Sequence, residues 1–215
     1  MAGSLIKREW QLPFSLAGTI VDIETTALKP TDGEMITLGV FFSDRITVFQ
    51  RSDISPEGKL IFEQQVKNWT DFCPKPYYAY NKDFEEAWLG TRIHHDLMAK
   101  WKTGAEKMRQ KGDPAESFSR FGKWPKLSEL VSFPQKYFGI EDIEGREVPL
   151  LWKEYKTTGD KAKLTSIVNH NLCNLVSAAC LYMWDEVTPK LLEQIDETIG
   201  KGEEYGKFAS AENRS

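Results

Sequence analysis

The order in which strand and helix patterns occur constrains the fold of this chain more than any other feature. Short runs of β-branched and apolar residues, which favour buried strands, occupy 18–23, 35–42, 46–50 and 75–80. Helical patterns dominate the rest of the chain, and the strongest covers 161–184. Strands followed by helices predict a sheet covered by helices, in an α/β or α+β domain.

The first three predicted strands are close together in sequence. A turn cluster at 29–33 separates the first two, and Ser43, Asp44 and Arg45 supply a tight connection to the third. This spacing predicts an antiparallel meander. Helices are predicted at about 55–69, 84–90, 127–138, 148–158, 161–184 and from there to about 199.

Composition narrows the class of protein. The chain has 215 residues, of which 40% are hydrophobic, so it can build one sizeable core. It has no run of about 18 apolar residues, so no membrane-spanning helix is predicted, and its first ten residues lack the apolar region of a signal peptide. Its three cysteines lack the spacing of a zinc site, and we expect a cytoplasmic protein.

Three segments are expected along the chain. Residues 1–16 are mixed in character and lead into the fold, and residues 17–199 carry one domain. Residues 200–215 are polar and small, which is typical of a flexible tail. The formal net charge of -4 means that a nucleic-acid partner would need a local basic patch.

Two carboxylates stand at the end of the first apolar strand. Asp22 and Glu24 are two residues apart, so their side chains point to the same face, roughly 6–7 Å apart. They repel each other unless a cation lies between them. Hard oxygen ligands so placed suit Mg²⁺ or Mn²⁺, although strand ends also commonly carry acids that face solvent.

The surrounding sequence resembles the DEDD-type 3′–5′ exonucleases of the ribonuclease H-like superfamily. Residues 21–28 are similar to the first exonuclease motif, with Ala27 where Gly is usual. Residues 80–89 are similar to the second motif, in which the carboxylate falls at Glu85 where Asp is usual, and Asp83 is the alternative. The resemblance implies a mixed β-sheet, an antiparallel meander plus parallel strands, flanked by α-helices.

The third motif resembles that of the YprB-like predicted exonuclease family. The similar segments are 147–155 and 159–175. In that family an Asp is expected where this chain has Asn174, and His170, one helical turn earlier, has the place of the general base. A helix-surface imidazole is the alternative for His170.

The resemblance implies a site for two divalent cations, Mg²⁺ or Mn²⁺, that clamp the scissile phosphate. Asp22 would bridge both ions, Glu24 would bind the ion nearer the nucleophile, and Glu85 would complete the shell of the other. His170 would orient or deprotonate the attacking water.

Asn174 departs from this set, because an amide offers one neutral oxygen in place of an anionic pair. We therefore expect one ion to bind weakly and cleavage to be reduced. Three explanations stay open: an alteration that traps substrate, a naturally weakened relative, or replacement by another acid such as Asp160 or Asp96.

Substrate contacts are expected from the motif residues Thr25, Leu28 and Asn81 and from a basic stretch. That stretch holds Lys100, Lys102, Lys107, Arg109 and Lys111, with Trp101 and Trp124 within or beside it. Cations can follow a phosphate backbone and aromatic rings can stack on unpaired bases, although a solvated charged face with core tryptophans has the same composition. His94 and His95 are interpreted as structural or substrate-side residues, not as metal ligands.

The resemblance therefore implies a metal-dependent 3′–5′ exonuclease acting on single-stranded DNA or RNA ends, with activity reduced or abolished by Asn174. The alternative is an inactive nucleic-acid-binding or scaffold protein on the same fold. An endonuclease using the same site is a third possibility.

Overall fold

The computed structural model describes residues 5–102, 126–131, 134, 139 and 141–184. The chain divides into two units, residues 1–179 and 180–215. Of the second unit, residues 180–184 are described, and the last helix of the described residues ends at Tyr182. The predicted helix to 199 and the tail 200–215 lie outside the described residues, and the domain limits 17–199 remain a prediction.

The first unit contains a mixed sheet of four strands in the order β2-β1-β3-β4. Strand β1 (Leu5–Thr25) pairs antiparallel with β2 (Met35–Arg51) along most of its length. The short strands β3 (Tyr77–Ala79) and β4 (His95–Asp96) add to the other side of β1 in parallel. The predicted combination of antiparallel and parallel strands flanked by helices is confirmed.

Two local predictions about the strands are wrong. From Leu5 onward the leading segment 1–16 is part of β1, and the predicted third strand at 46–50 is the continuation of β2. At the turn predicted for 43–45, the chain does not reverse. Ser43 instead has φ 52° and forms a local irregularity within β2. The ladder then continues, and Trp10 faces Ile46. The predicted meander is therefore a long two-stranded ribbon.

Five α-helices lie in the described part of the chain. Helix α1 starts as predicted, because the Ser55 hydroxyl accepts a hydrogen bond from the Gly58 amide (3.0 Å) and a proline follows in the first turn. Of the predicted helix 127–138, the described part is helical over four residues. The bounds are α1 Pro56–Lys67, α2 Lys82–Leu89, α3 Leu127–Leu130, α4 Val148–Thr158 and α5 Lys161–Tyr182.

Apolar residues on both faces of the sheet are buried against helices. One cluster joins the sheet to α1 and includes Val21, Ile23, Leu38, Val40, Phe62 and Val66. The other joins the sheet to α4 and α5 and includes Ile36, Val148, Trp152, Leu164 and Ile167. Because side chains alternate along a strand, Val21 and Ile23 occupy the α1 face and the neighbouring acids face the other way. Among the described residues, none of the helices combines the length and apolarity needed to cross a bilayer.

Candidate active site

Asp22 and Glu24 lie on the face of β1 that packs against α5. The alternation of β1 places their carboxylates there, and Glu24 is 6% exposed. Burial raises the pKa of both carboxyls, and the positive charge of His170 opposes that rise. Two acids that are held close together in a desolvated place can both be ionised only where positive charge offsets them.

Two amides of α5 reach these carboxylates. Asn171 donates from Nδ2 to the backbone oxygen (3.1 Å) and to Oδ2 (2.8 Å) of Asp22. Asn174, three residues later and on the same helix face, donates to Asp22 Oδ2 (3.3 Å) and Glu24 Oε1 (3.4 Å). Gly39, which pairs with Asp22 across the ladder, allows this approach, since a Cβ there would overlap Asn171 Oδ1.

His170 is held between two acids. Its Nδ1 lies 2.7 Å from Asp142 Oδ1, and its Nε2 lies 3.9 Å from Glu24 Oε1. Burial alone would lower the pKa of His170, but the negative charge of Glu24 and the hydrogen bond to Asp142 raise it to about 9. The ring is therefore fixed with Nε2 directed toward the carboxylates.

Glu85 completes the acidic group from α2. Its side chain is 3% exposed, and its Oε2 is buried without a hydrogen-bond partner. Burial, followed by the negative charges of Asp22 and Glu24, raises its pKa well above the ordinary value. Asp83, the alternative, is exposed and pairs with Lys102 (3.4 Å), so Glu85 is the acid of this motif that lies with Asp22 and Glu24.

Comparison of the sequence with known proteins identifies the family of this chain. A profile of the RNase H superfamily matches residues 19–185, a range that holds every residue of the carboxylate site. The chain belongs to the RNase H superfamily. It is also 27% identical over 165 residues to an uncharacterised protein of Methanocaldococcus jannaschii, covering 72% of this chain and 87% of that protein. No solved structure matches the chain.

Membership of the RNase H superfamily indicates a nuclease-type enzyme whose substrate is nucleic acid, and such nucleases generally use divalent metals. Within the described part of the chain, no three His, Cys, Asp or Glu side chains are arranged as a metal-binding cluster. The donor chemistry nevertheless fits a hard cation, because Asp22, Glu24 and Glu85 offer carboxylate oxygens in a desolvated, mutually repelling group. The unpartnered Oε2 of Glu85 supports the same interpretation.

The two acids proposed as substitutes for Asn174 lie in different places. Asp160 is exposed and accepts a hydrogen bond from the Ala162 amide (2.9 Å) at the start of α5. The charge of Asp96 acts on Glu85, but its Oδ2 forms an ion pair with Lys102 (2.7 Å). Asp142, which no sequence motif indicated, is the acid that contacts Nδ1 of His170.

The predicted substrate residues lie in several parts of the chain. Thr25 donates its hydroxyl to the Ala27 oxygen (2.7 Å) and so shapes the turn after β1, while Leu28 is 85% exposed beyond it. Asn81 precedes α2, and its Oδ1 accepts a hydrogen bond from Lys102 (3.5 Å). Arg109 and Trp124, like Lys107 and Lys111, lie outside the described residues.

Of the basic stretch, the structure describes Lys100, Trp101 and Lys102, and their role in substrate binding stays a prediction. Lys100 is exposed, and its Nζ lies 4.2 Å from the centre of the Trp101 ring. Lys102 is held by Asp96 and Asp83, so its charge is largely balanced within the protein. This pairing is a matter of tertiary contact, which the run of lysines in sequence does not reveal.

Asn171 and Asp142 were missed by sequence reasoning. Asn171 shares a helix face with Asn174, and that spacing was a usable signal. Asp142 had no such signal, because it lies in a loop 28 residues before the histidine that it contacts.

Proposed function

We propose that the chain is a divalent-metal-dependent 3′–5′ exonuclease that hydrolyses phosphodiester bonds at single-stranded nucleic acid ends, with activity reduced by Asn174. The observation that carries this proposal is the buried group of three carboxylates, Asp22, Glu24 and Glu85, beside an oriented His170. Membership of the RNase H superfamily supports it. The three cysteines are free thiols, which supports a cytoplasmic location.

The proposed reaction is attack by water oxygen on phosphorus, with cleavage of the bond from phosphorus to the 3′ oxygen of the preceding nucleotide. A bound Mg²⁺ or Mn²⁺ would supply charge stabilisation and a more acidic water, and Asp22, Glu24 and Glu85 would hold it. His170 would orient the water through Nε2, because Asp142 already occupies Nδ1. The negative charge of Glu24 raises the pKa of His170, and a bound dication would offset that charge, so that Nε2 could lose its proton and accept one from the water.

Asn174 accounts for the reduced activity in this proposal. Its amide donates hydrogen bonds to Asp22 and Glu24, where an aspartate would add a negative ligand. The substitution therefore lowers the negative charge available to a cation and occupies two of the carboxylate oxygens.

The test is cleavage by the Asn174→Asp variant in the presence of Mn²⁺. We expect a gain of at least about tenfold over the wild type, since a fourth carboxylate favours cation binding. Asn68→Asp, the same chemical change at an exposed position after α1, is the control and should give no gain. No gain from Asn174→Asp on either DNA or RNA single strands contradicts the exonuclease proposal.

The polarity of the reaction is tested with blocked ends. A strand blocked at its 3′ end should resist cleavage and a strand blocked at its 5′ end should not. Cleavage of a circular single strand would instead favour the endonuclease alternative.

A second candidate function is nucleic-acid binding without chemistry, on the same fold. The hydrogen bonds from Asn171 and Asn174 favour it, because they stabilise the carboxylates without a cation. Binding of a single strand with no cleavage by Asn174→Asp would support this candidate.

A further inference from the structure

A basic surface is assembled from three separate segments around α2 and the start of β4. Its members, which we call the α2 basic surface, are Lys75, Lys82, Arg92, His94 and His95. Lys75, Arg92 and His95 are exposed. The charges of the other four members all act on His94, and two of them, Lys82 and Arg92, line the same cleft.

A shallow cleft of about 480 Å³ forms part of this surface. Lys82 and Arg92 line it together with Glu86, Gly90 and Thr91. Gly90 ends α2 in the left-handed region, and a Cβ there would meet no atom within 4 Å. The cleft is therefore open to a ligand from solvent.

The two histidines of the surface are held in place by β3. His94 Nδ1 accepts a hydrogen bond from the Tyr77 amide (3.1 Å), so the neutral ring carries its proton on Nε2. Burial, and then the charges of Lys75 and Arg92, lower the pKa of His94. His95 stacks on Tyr78, with ring centres 4.7 Å apart.

Positive charge on this surface exceeds the negative charge that opposes it. Glu86 pairs with Lys82 (3.7 Å) and accepts a hydrogen bond from the Ile93 amide (2.7 Å). Lys75 and Arg92 form no salt bridge with any acid in the described part of the chain. Three cations thus face one carboxylate, in a protein whose formal net charge is -4.

We propose that the α2 basic surface binds the phosphodiester backbone of single-stranded nucleic acid, as a contact additional to the carboxylate site. Exposed cations and N–H donors are the groups that bind phosphate oxygens. This inference rests on the proposed function for the identity of the ligand. Glu85 lies on the same helix, whose eight residues span about 12 Å, so a strand whose end lies at the carboxylates can place its following phosphates along α2.

The test is the salt dependence of single-strand binding by a Lys75→Ala/Arg92→Ala double variant. Binding of a labelled single-stranded oligonucleotide is measured by fluorescence anisotropy in EDTA, so that no cleavage occurs. The slope of log K against log salt is negative, and each lost phosphate contact should reduce its magnitude by about 0.7. The loss of two contacts should reduce it by about 1.4. Between about 50 and 200 mM salt the variant should then lose about sevenfold less affinity than the wild type.

The matched control is Lys67→Ala/Lys153→Ala, which removes two exposed lysines from α1 and α4. It changes the net charge equally and should retain the slope of the wild type. Thermal unfolding of both double variants checks that the fold is intact.

The inference is overturned if the Lys75→Ala/Arg92→Ala variant binds with the slope of the control. These cations would then only offset Glu86 and the C-terminal carbonyls of α2. A wild type that shows no salt-dependent binding overturns it as well. Cleavage by Asn174→Asp with binding independent of Lys75 and Arg92 contradicts this inference alone, whereas binding that depends on them without cleavage contradicts only the exonuclease proposal.

Discussion

Glu85 shows how burial and charge act together on one residue of the candidate site. It is 3% exposed, one of its oxygens has no partner, and the charges of Asp22 and Glu24 act on it. Its pKa is raised well above the ordinary value of a glutamate carboxyl, by burial first and by these charges second. A carboxyl whose pKa rises on folding ionises more easily in the unfolded chain, so its charge opposes folding at neutral pH.

Glu85→Gln should therefore stabilise the metal-free protein at neutral pH by about 1 kcal/mol or more, because a buried unpaired charge is removed. The gain should be absent below the unfolded pKa, where the carboxyl is protonated in both states, and should grow as the pH rises above it. Thermal unfolding in EDTA across this pH range measures the effect.

Glu141→Gln, at an exposed loop position, is the control and should change the unfolding temperature little. A Glu85→Gln variant less stable than the wild type above neutral pH would show that the carboxylate is already compensated in the folded protein.

Among the elements, the link between β2 and α4 depends on one carboxylate. Glu34, just before β2, accepts hydrogen bonds from Trp152 Nε1 (2.9 Å) and Lys156 Nζ (3.3 Å) of α4. Its other oxygen pairs with the guanidinium of Arg51, which is 3% exposed at the end of β2 and lies over the Trp152 ring. The Glu34 carboxylate therefore joins both ends of β2 to the helix that precedes α5.

Glu34→Gln should destabilise the protein by about 2–4 kcal/mol at neutral pH, because the buried Arg51 loses its ionic partner. Burial raises the pKa of Glu34, but the hydrogen bonds from Trp152 and Arg51 outweigh it and lower the pKa. A depressed pKa contributes stability above the unfolded value of about 4.5, which is lost as the pH falls through the folded value. Denaturant unfolding at neutral and acid pH measures both effects.

Glu63→Gln removes an exposed acid that pairs with Lys59 within α1 (3.6 Å), and this control should cost less than about 1 kcal/mol. An equal loss for both variants would mean that the Glu34 pair contributes no more than a surface ion pair.

The strands and helices that were predicted correctly are those with a local cause. The apolar run of β1 and the cap at Ser55 depend on neighbouring residues alone, so sequence is sufficient to find them. The continuity of β2 through Ser43 depends instead on pairing with the extended β1, which a local turn signal cannot indicate. The ion pair of Lys102 with Asp96 could not be predicted from sequence either, because it forms only in the folded chain.

At the scale of the whole molecule, the candidate site is formed by residues of several elements. β1 supplies Asp22 and Glu24, α2 supplies Glu85, and α5 supplies His170 and Asn174. Sequence motifs could indicate these residues because each motif is local. The contact of Asp142 with His170 and the α2 basic surface could not be predicted in this way, because each forms only when distant segments meet. A ligand shared by these elements would therefore stabilise the whole fold.

Binding of Mn²⁺ should stabilise the Asn174→Asp variant more than the wild type, because a ligand that binds only the folded state raises its stability in proportion to the logarithm of one plus the ratio of ligand concentration to Kd, and the variant should have the lower Kd. At a metal concentration of about 100 times Kd, the expected gain is about 2.7 kcal/mol. Thermal unfolding with and without Mn²⁺ measures it, and an Asp22→Asn/Asn174→Asp variant should lose it, since one carboxylate is again missing. Equal shifts in all three proteins would place the bound cation elsewhere, because neither residue 22 nor residue 174 would then contribute to its binding.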